Sequence, residues 1–422
     1  MFKVKLFLLV PIICISCKSP EKFSGFSYDP PGVTNTTGKY IEPQKQRIIG
    51  VDSPKIWVSN EFESARLNDF YQVDSTTYEA FILPENAPIN NSPWYAFEIW
   101  SDSTQTITLR ISYKGGRHRY IPKISTSTKG EFDFEIVDSV KSYGTEGSIE
   151  FELAIGPDKK IVSAHNILGI RNTDLLKSFG WLNPAFVSVD TVGFSKQNRA
   201  IYKIEIDETD ASQPAGVLIL LSRQHPPEIS GYLTYNYFLE TLMDSSALAR
   251  SFRKHFIVQA FPIINPDGVH NGHWRHNAAG IDLNRDWQNF NQPETKVVRD
   301  ALLPILEDSS KKVFYGIDFH STNENIFYPI KEEIVTFPDN FTQRWFPYVA
   351  DENPGLMFVA EEFDTNSPIS KNWIFRTFGA DALTFEVDDE LSRDEIQQLG
   401  TSAAKSLMKL LLEEWDTFRK QL

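Results

Sequence analysis

The run Val217-Leu218-Ile219-Leu220-Leu221, followed at once by Ser222-Arg223-Gln224-His225-Pro226-Pro227-Glu228, constrains the fold more than any other segment. An unbroken apolar run of that length reads as a strand buried on both faces, which requires packed layers on both sides of a sheet. Further runs repeat the theme: Phe256 to Phe261, Val313 to Phe319 and Ala382 to Phe385 read as strands. Tyr232 to Met243, Thr295 to Leu306 and Ser402 to Lys420 read as helices. Strands alternating with helices predict an α/β unit, with a mixed, mostly parallel sheet flanked by helices, over residues 166–422.

Upstream the pattern changes. Thr106-Ile107-Thr108-Leu109-Arg110-Ile111-Ser112 alternates with period two, as do Phe132 to Ile136 and Ser148 to Leu153. Short strands without helices between them predict an antiparallel β-sandwich over residues 46–165. At 422 residues the chain exceeds what one core usually holds, so two folded units are expected.

Lys3 and Lys5 precede the apolar run Leu6 to Ile15, too short to span a bilayer, and Cys14-Ile15-Ser16-Cys17 ends it. This resembles a bacterial lipoprotein signal, with residues 1–16 removed and Cys17 carrying lipid; Cys14 stands where such signals usually have Leu. Residues 17–45 then read as a flexible tether, and the expected location is outside the cytoplasm, anchored on the periplasmic or cell-surface side of a membrane. Both cysteines of the chain, Cys14 and Cys17, lie in this region. A thiol nucleophile and a cysteine-ligated metal are thereby excluded. A net charge of −14 argues against nucleic acid as a partner.

Chemistry gathers just past the strand ends, where open α/β sheets build their sites. His225 and Glu228 follow the first apolar strand, and His320 closes the strand Val313 to Phe319. Two histidines and one carboxylate are the ligand set of a catalytic zinc site. Glu386 ends the strand Ala382 to Phe385. Between these, Asn265-Pro266-Asp267-Gly268 is turn-forming, and Arg275 and Arg285 supply guanidinium groups suited to carboxylates and oxyanions.

Taken in order, His225-Pro226-Pro227-Glu228, Asn265-Pro266-Asp267-Gly268, Asp282-Leu283-Asn284-Arg285, Asp318-Phe319-His320 and Thr384-Phe385-Glu386 resemble the zinc carboxypeptidase family, in the branch of the cytosolic carboxypeptidases and their bacterial relatives. The resemblance implies one zinc ion per chain on His225, Glu228 and His320, and Glu386 as general base. It implies Arg275 as the group that holds the oxyanion, and Asn284 with Arg285 as the grip on a substrate's terminal carboxylate. It implies a peptide substrate cut at its C-terminal bond. Lys371 falls near the family's side-chain pocket, where a cation would favour an acidic terminal residue. The lid tyrosine of the digestive members has no counterpart, since no Tyr lies between Tyr348 and Glu386.

Plainer readings accompany these. His270, His273 and His276 read as solvated loop histidines, and Asp388, Asp389 and Glu390 as a solvated acidic loop. Two competing functions use the same residues differently: a zinc amidohydrolase acting on acylated amino acids or cell-wall stem peptides, and a non-catalytic lipoprotein that binds peptide or glycan.

Overall fold

The computed structural model describes residues 23–52, 55–126, 134–137, 139–143, 147–169 and 185–420. Cys17, the leader 1–16, and Phe132 with Asp133 of the expected strand lie outside the described residues.

The strand expected from the apolar run is Ala215–Ser222, and every one of its residues is buried. It lies inside an eight-stranded sheet whose order is Val187–Phe194, Ala200–Ile206, Phe256–Phe261, Ala215–Ser222, Lys311–Thr322, Asp381–Asp388, Asn325–Tyr328 and Phe358–Ala360. Its four central strands run parallel, as their buried, near-continuous apolar sequences require. The strands flanking this centre, Ala200–Ile206 and Asn325–Tyr328, pair with it antiparallel. Sequence reasoning did not identify these outer strands. Val187–Phe194 buries only its first residue, and without a buried face there is no alternation to read.

The helix Ile229–Met243 covers the sheet and meets the C-terminal helix Arg393–Arg419. Almost all of its residues are buried, so it carries no polar face of the kind that marks a surface helix. Gly231 permits close approach to the sheet: a Cβ there would lie 2.2 Å from the carbonyl oxygen of His320. Arg393–Arg419 starts at a capping box, Ser392 with Glu395, nine residues before the helix expected from sequence.

The upstream region forms two facing sheets, one of six strands and one of five. Neighbouring strands pair antiparallel except Thr77–Ile82 with Gln105–Tyr113, which run parallel. Buried side chains of these sheets and of the eight-stranded unit merge into one apolar cluster.

Glu85, Arg119 and Lys123 are among the residues whose polar contacts join the sandwich to the loops of the other unit. Glu85, fully buried, accepts hydrogen bonds from the backbone N–H groups of Trp274 (2.8 Å), Arg275 (3.0 Å) and His276 (2.6 Å). Arg119 donates to the Asp389 carboxylate (2.7 Å) and to the Ser321 carbonyl (3.1 Å). Lys123 pairs with Glu390 at 2.9 Å. These contacts correct two expectations. His273 and His276 are buried, and His276 shares a hydrogen bond with Asn86 (2.7 Å). Asp389 is buried against Arg119. His276 and Asp389 meet partners from distant parts of the chain, and His273 hydrogen-bonds the His276 carbonyl (2.9 Å) beside them.

The tether expectation is also corrected. Val33 and Thr36 are buried, the Thr36 carbonyl accepts from Gln292 (2.5 Å), and the Lys39 N–H donates to the Ala279 carbonyl (2.7 Å).

Burial opposes ionisation of Glu85, but His273, His276, Arg66 and the His276 N–H together outweigh it and hold the carboxyl down at about 2. A depressed folded-state value gives stability that is present above the unfolded value of 4.5 and is lost as pH falls through about 2. Urea unfolding should therefore show wild type more stable than Glu85→Gln by roughly 1–3 kcal/mol near neutral pH. The gap should close between about pH 4.5 and 2; a gap that does not change with pH contradicts this account.

Candidate metal centre and cleft

Three parallel strands run to one edge, and side chains near or just past their ends meet there. His225 follows Ala215–Ser222 after Arg223, whose φ of 53° turns the chain out of the sheet. Glu228 occupies the N-cap of Ile229–Met243 but makes no side-chain capping bond. Its carboxylate instead spans the two imidazoles: Oε1 lies 2.8 Å from Nδ1 of His225 and Oε2 lies 2.7 Å from Nδ1 of His320. Ligand atoms of the three residues lie within 4.8 Å of one another, and all three residues are buried. Among the described residues this is the one such group.

The far nitrogens of both rings rest on carboxylates. Nε2 of His225 is 2.9 Å from Asp282, and Nε2 of His320 is 2.7 Å from Asp318. A carboxylate behind an imidazole fixes the tautomer and raises the basicity of the nitrogen that faces a metal. Asp318 also accepts from Gln224 (2.6 Å) and from the Ser370 hydroxyl. Two imidazoles and three carboxylates in a buried pocket make a donor set that suits a divalent cation, with both Nδ1 atoms and Glu228 turned inward.

Glu386 faces the same space. It is the register partner of His320 on the neighbouring parallel strand, so the two side chains leave the sheet on one face. Its Oε2 is buried without a hydrogen-bond partner. Burial, reinforced by Glu228 and opposed by His320, His225 and Arg119, pushes its carboxyl up to about 7. An unpartnered carboxylate oxygen beside the metal group fits a site built to hold a further oxygen ligand there.

Of the other residues singled out in the sequence, Arg275 lies beside the cluster. Its Nε donates to Asp282 at 2.7 Å, so one carboxylate links it to His225. Asn284 reaches His320 through its amide (3.4 Å) and accepts from the Ser370 N–H (2.9 Å). Arg285 is buried and holds Asp29 through Nε (3.1 Å) and NH2 (2.9 Å).

Lys371 differs from expectation. It is fully buried, and its ammonium donates to the carbonyls of Tyr328 (3.1 Å) and Pro329 (2.6 Å). Burial lowers its pKa to about 7, so it does not present a fixed cation to a pocket.

Sequence reading did not assign roles to Asp282, Asp318, Ser370, Glu85 or Asp29. The first two were legible, since each sits two residues from a proposed site residue within a quoted motif. Nothing local to Glu85 or Asp29 in the sequence indicates its partner.

The sequence model described as zinc carboxypeptidase matches residues 173–392, just over half of the chain. Mouse cytosolic carboxypeptidase 3 is 32% identical over 318 residues, covering 67% of this chain and 31% of that protein. Cytosolic carboxypeptidase 1 of Xenopus laevis is 38% identical over 114 residues, covering 26% of this chain and 9% of that protein. The chain thus spans less than a third of the length of either relative. Among solved structures, a metallo-carboxypeptidase from Burkholderia cenocepacia superposes with a TM-score of 0.70 at 16% identity, over 86% of this chain and 99% of that one. A metallo-carboxypeptidase from Pseudomonas aeruginosa, in complex with (2-guanidinoethylmercapto)succinic acid, gives 0.68 at 17% identity, over 85% and 99%. At these identities the structural likeness concerns the fold.

Removing the carboxylate behind His320 should weaken metal binding without touching a ligand. Asp318→Ala should lower zinc affinity roughly 10–100-fold, read by competition with a chromogenic chelator. Wild-type affinity in a folded variant would show that Asp318 does not support the centre.

Proposed function

The chain belongs to the zinc carboxypeptidase family, and on that premise we propose that it is a peptide hydrolase that removes the C-terminal residue of peptides. The observation that carries this reading is the meeting of His225, Glu228 and His320 with the unpartnered Glu386 carboxylate at one sheet edge.

In this reading His225, Glu228 and His320 hold zinc, with Asp282 and Asp318 fixing the two rings. When bound, zinc supplies Lewis acidity and makes water a nucleophile near neutral pH. Glu386 takes the proton from the attacking water and returns it to the leaving amine. A carboxyl raised toward neutrality can do both, because acid–base catalysis is best when the pKa lies near the working pH.

Arg275, held by Asp282, sits beside the cluster and faces the charge that develops on the scissile carbonyl oxygen. Arg285 and Asn284 receive the terminal carboxylate. A guanidinium can take a carboxylate through two parallel hydrogen bonds, which fixes the position of the peptide end. Delivering the bond next to that end is what makes the enzyme an exopeptidase. The basic start, the apolar run and Cys17 support an exported, lipid-anchored protein.

The test is a set of peptides differing only in the last residue, incubated with the zinc-loaded protein and followed by mass. Wild type should release one terminal residue, and Glu386→Gln should lower kcat by about 10²–10⁴-fold while keeping its zinc. Loss of activity together with zinc would deny Glu386 a direct role. No release from any peptide by the zinc-loaded wild type would sink the carboxypeptidase reading and point to acylated amino acids or cell-wall fragments.

A further inference from the structure

Arg285, the group assigned to the substrate's end, already holds a carboxylate. Asp29 takes both Nε (3.1 Å) and NH2 (2.9 Å), and Arg285 NH1 donates to the Asn284 carbonyl (2.9 Å). Both side chains of the pair are withdrawn from water, at 4% and 1% exposure. The two-pronged contact is the one a peptide's terminal carboxylate would make.

The segment around Asp29 is shaped for this contact. The Phe26 and Asp29 backbones close a turn: Asp29 N–H donates to the Phe26 carbonyl (3.0 Å), and the Asp29 carboxylate accepts from the Phe26 N–H (2.9 Å). The Phe26 ring lies over the Arg285 guanidinium at 5.0 Å and against Phe363 at 4.4 Å. Phe363 in turn lies near Lys371 (5.9 Å) and Tyr328 (5.0 Å).

Retention of the segment is uneven along its length. Val33 and Thr36 are buried and anchored, but no residue from Phe23 to Gly32 is buried as a whole. Gly32, at φ 74°, stands between the two parts. Among the described residues, the Asp29–Arg285 ion pair and the Phe26 ring against Arg285 and Phe363 tie this stretch to the cleft, a small set of contacts beside the buried anchor at Val33 and Thr36.

We propose that Asp29 is an internal competitor for the substrate's terminal carboxylate, so that the segment Phe23–Pro31 must release Arg285 before a peptide end can bind and Asp29 sets the KM. This rests on the reading of Arg285 as the carboxylate-binding group. A segment docked for about nine-tenths of the time raises apparent KM about tenfold, because only the open fraction binds. The occupant leaves the catalytic step itself alone, so its effect falls on KM and not on kcat.

The test uses full-length, zinc-loaded protein and an N-acylated dipeptide. Asp29→Asn and, separately, Phe26→Ala should each lower KM about tenfold with kcat within about twofold. The dissociation constant of the same dipeptide, measured by calorimetry on the Glu386→Gln background, should fall in parallel. Combining Asp29→Asn with Arg285→Met should give the high KM of Arg285→Met alone, since nothing remains to compete for. An unchanged or raised KM in both single variants overturns the proposal. If Arg285→Met still raises KM strongly, the carboxylate-binding reading survives that failure. If Arg285→Met leaves KM unchanged, that reading falls, and the proposal with it.

Discussion

The register between two parallel strands governs the cleft. His320 and Glu386 are direct partners on Lys311–Thr322 and Asp381–Asp388. A slip of one residue in either strand would send one of the two side chains to the opposite face of the sheet. Such a slip would also force the apolar side chains of both close-packed faces to repack, which opposes it. The neighbouring strand Ala215–Ser222 pairs with Lys311–Thr322 so that Ser222 lies opposite Phe319, which brings the His225 turn level with His320. Gly231 then allows the helix that starts at Glu228 to lie directly on the His320 backbone. Three strand ends and one helix start converge, and the metal group follows from that convergence.

Around this frame the charges are interdependent. Asp282 serves both His225 and Arg275, so an imidazole of the candidate metal group and a neighbouring guanidinium share one carboxylate. Asp318 serves His320, Gln224 and Ser370. The sandwich takes part as well: Glu85 fixes the backbone on which Arg275 is mounted, and Arg119 ties the ends of the two strands that carry His320 and Glu386. Its location against these loops gives it a structural part in the cleft, whatever else its outer surface does.

The sequence made the central strands legible because their burial is total, and an unbroken apolar run is hard to read otherwise. The ligand set was legible because its members sit at the ends of those runs in a recognisable order. Pairings between distant segments were not. Nothing near His273 or Asp389 announces Glu85 or Arg119, so both looked solvated. Asp29 sits among prolines and glycines in a stretch that resembles a linker, and its partner lies in a loop beyond two sheets. Lys371 was placed near the pocket by position alone; the depth of its burial depends on Tyr328 and Pro329, which no local pattern connects to it.

The candidate zinc site of His225, Glu228 and His320 underlies the proposed chemistry. Anomalous X-ray diffraction across the zinc edge, on crystals grown with the metal, tests it most directly. The account predicts one strong peak per chain, bonded to Nδ1 of His225, Nδ1 of His320 and the Glu228 carboxylate, beside Glu386. A peak elsewhere, or none among these residues at saturating zinc, would contradict it.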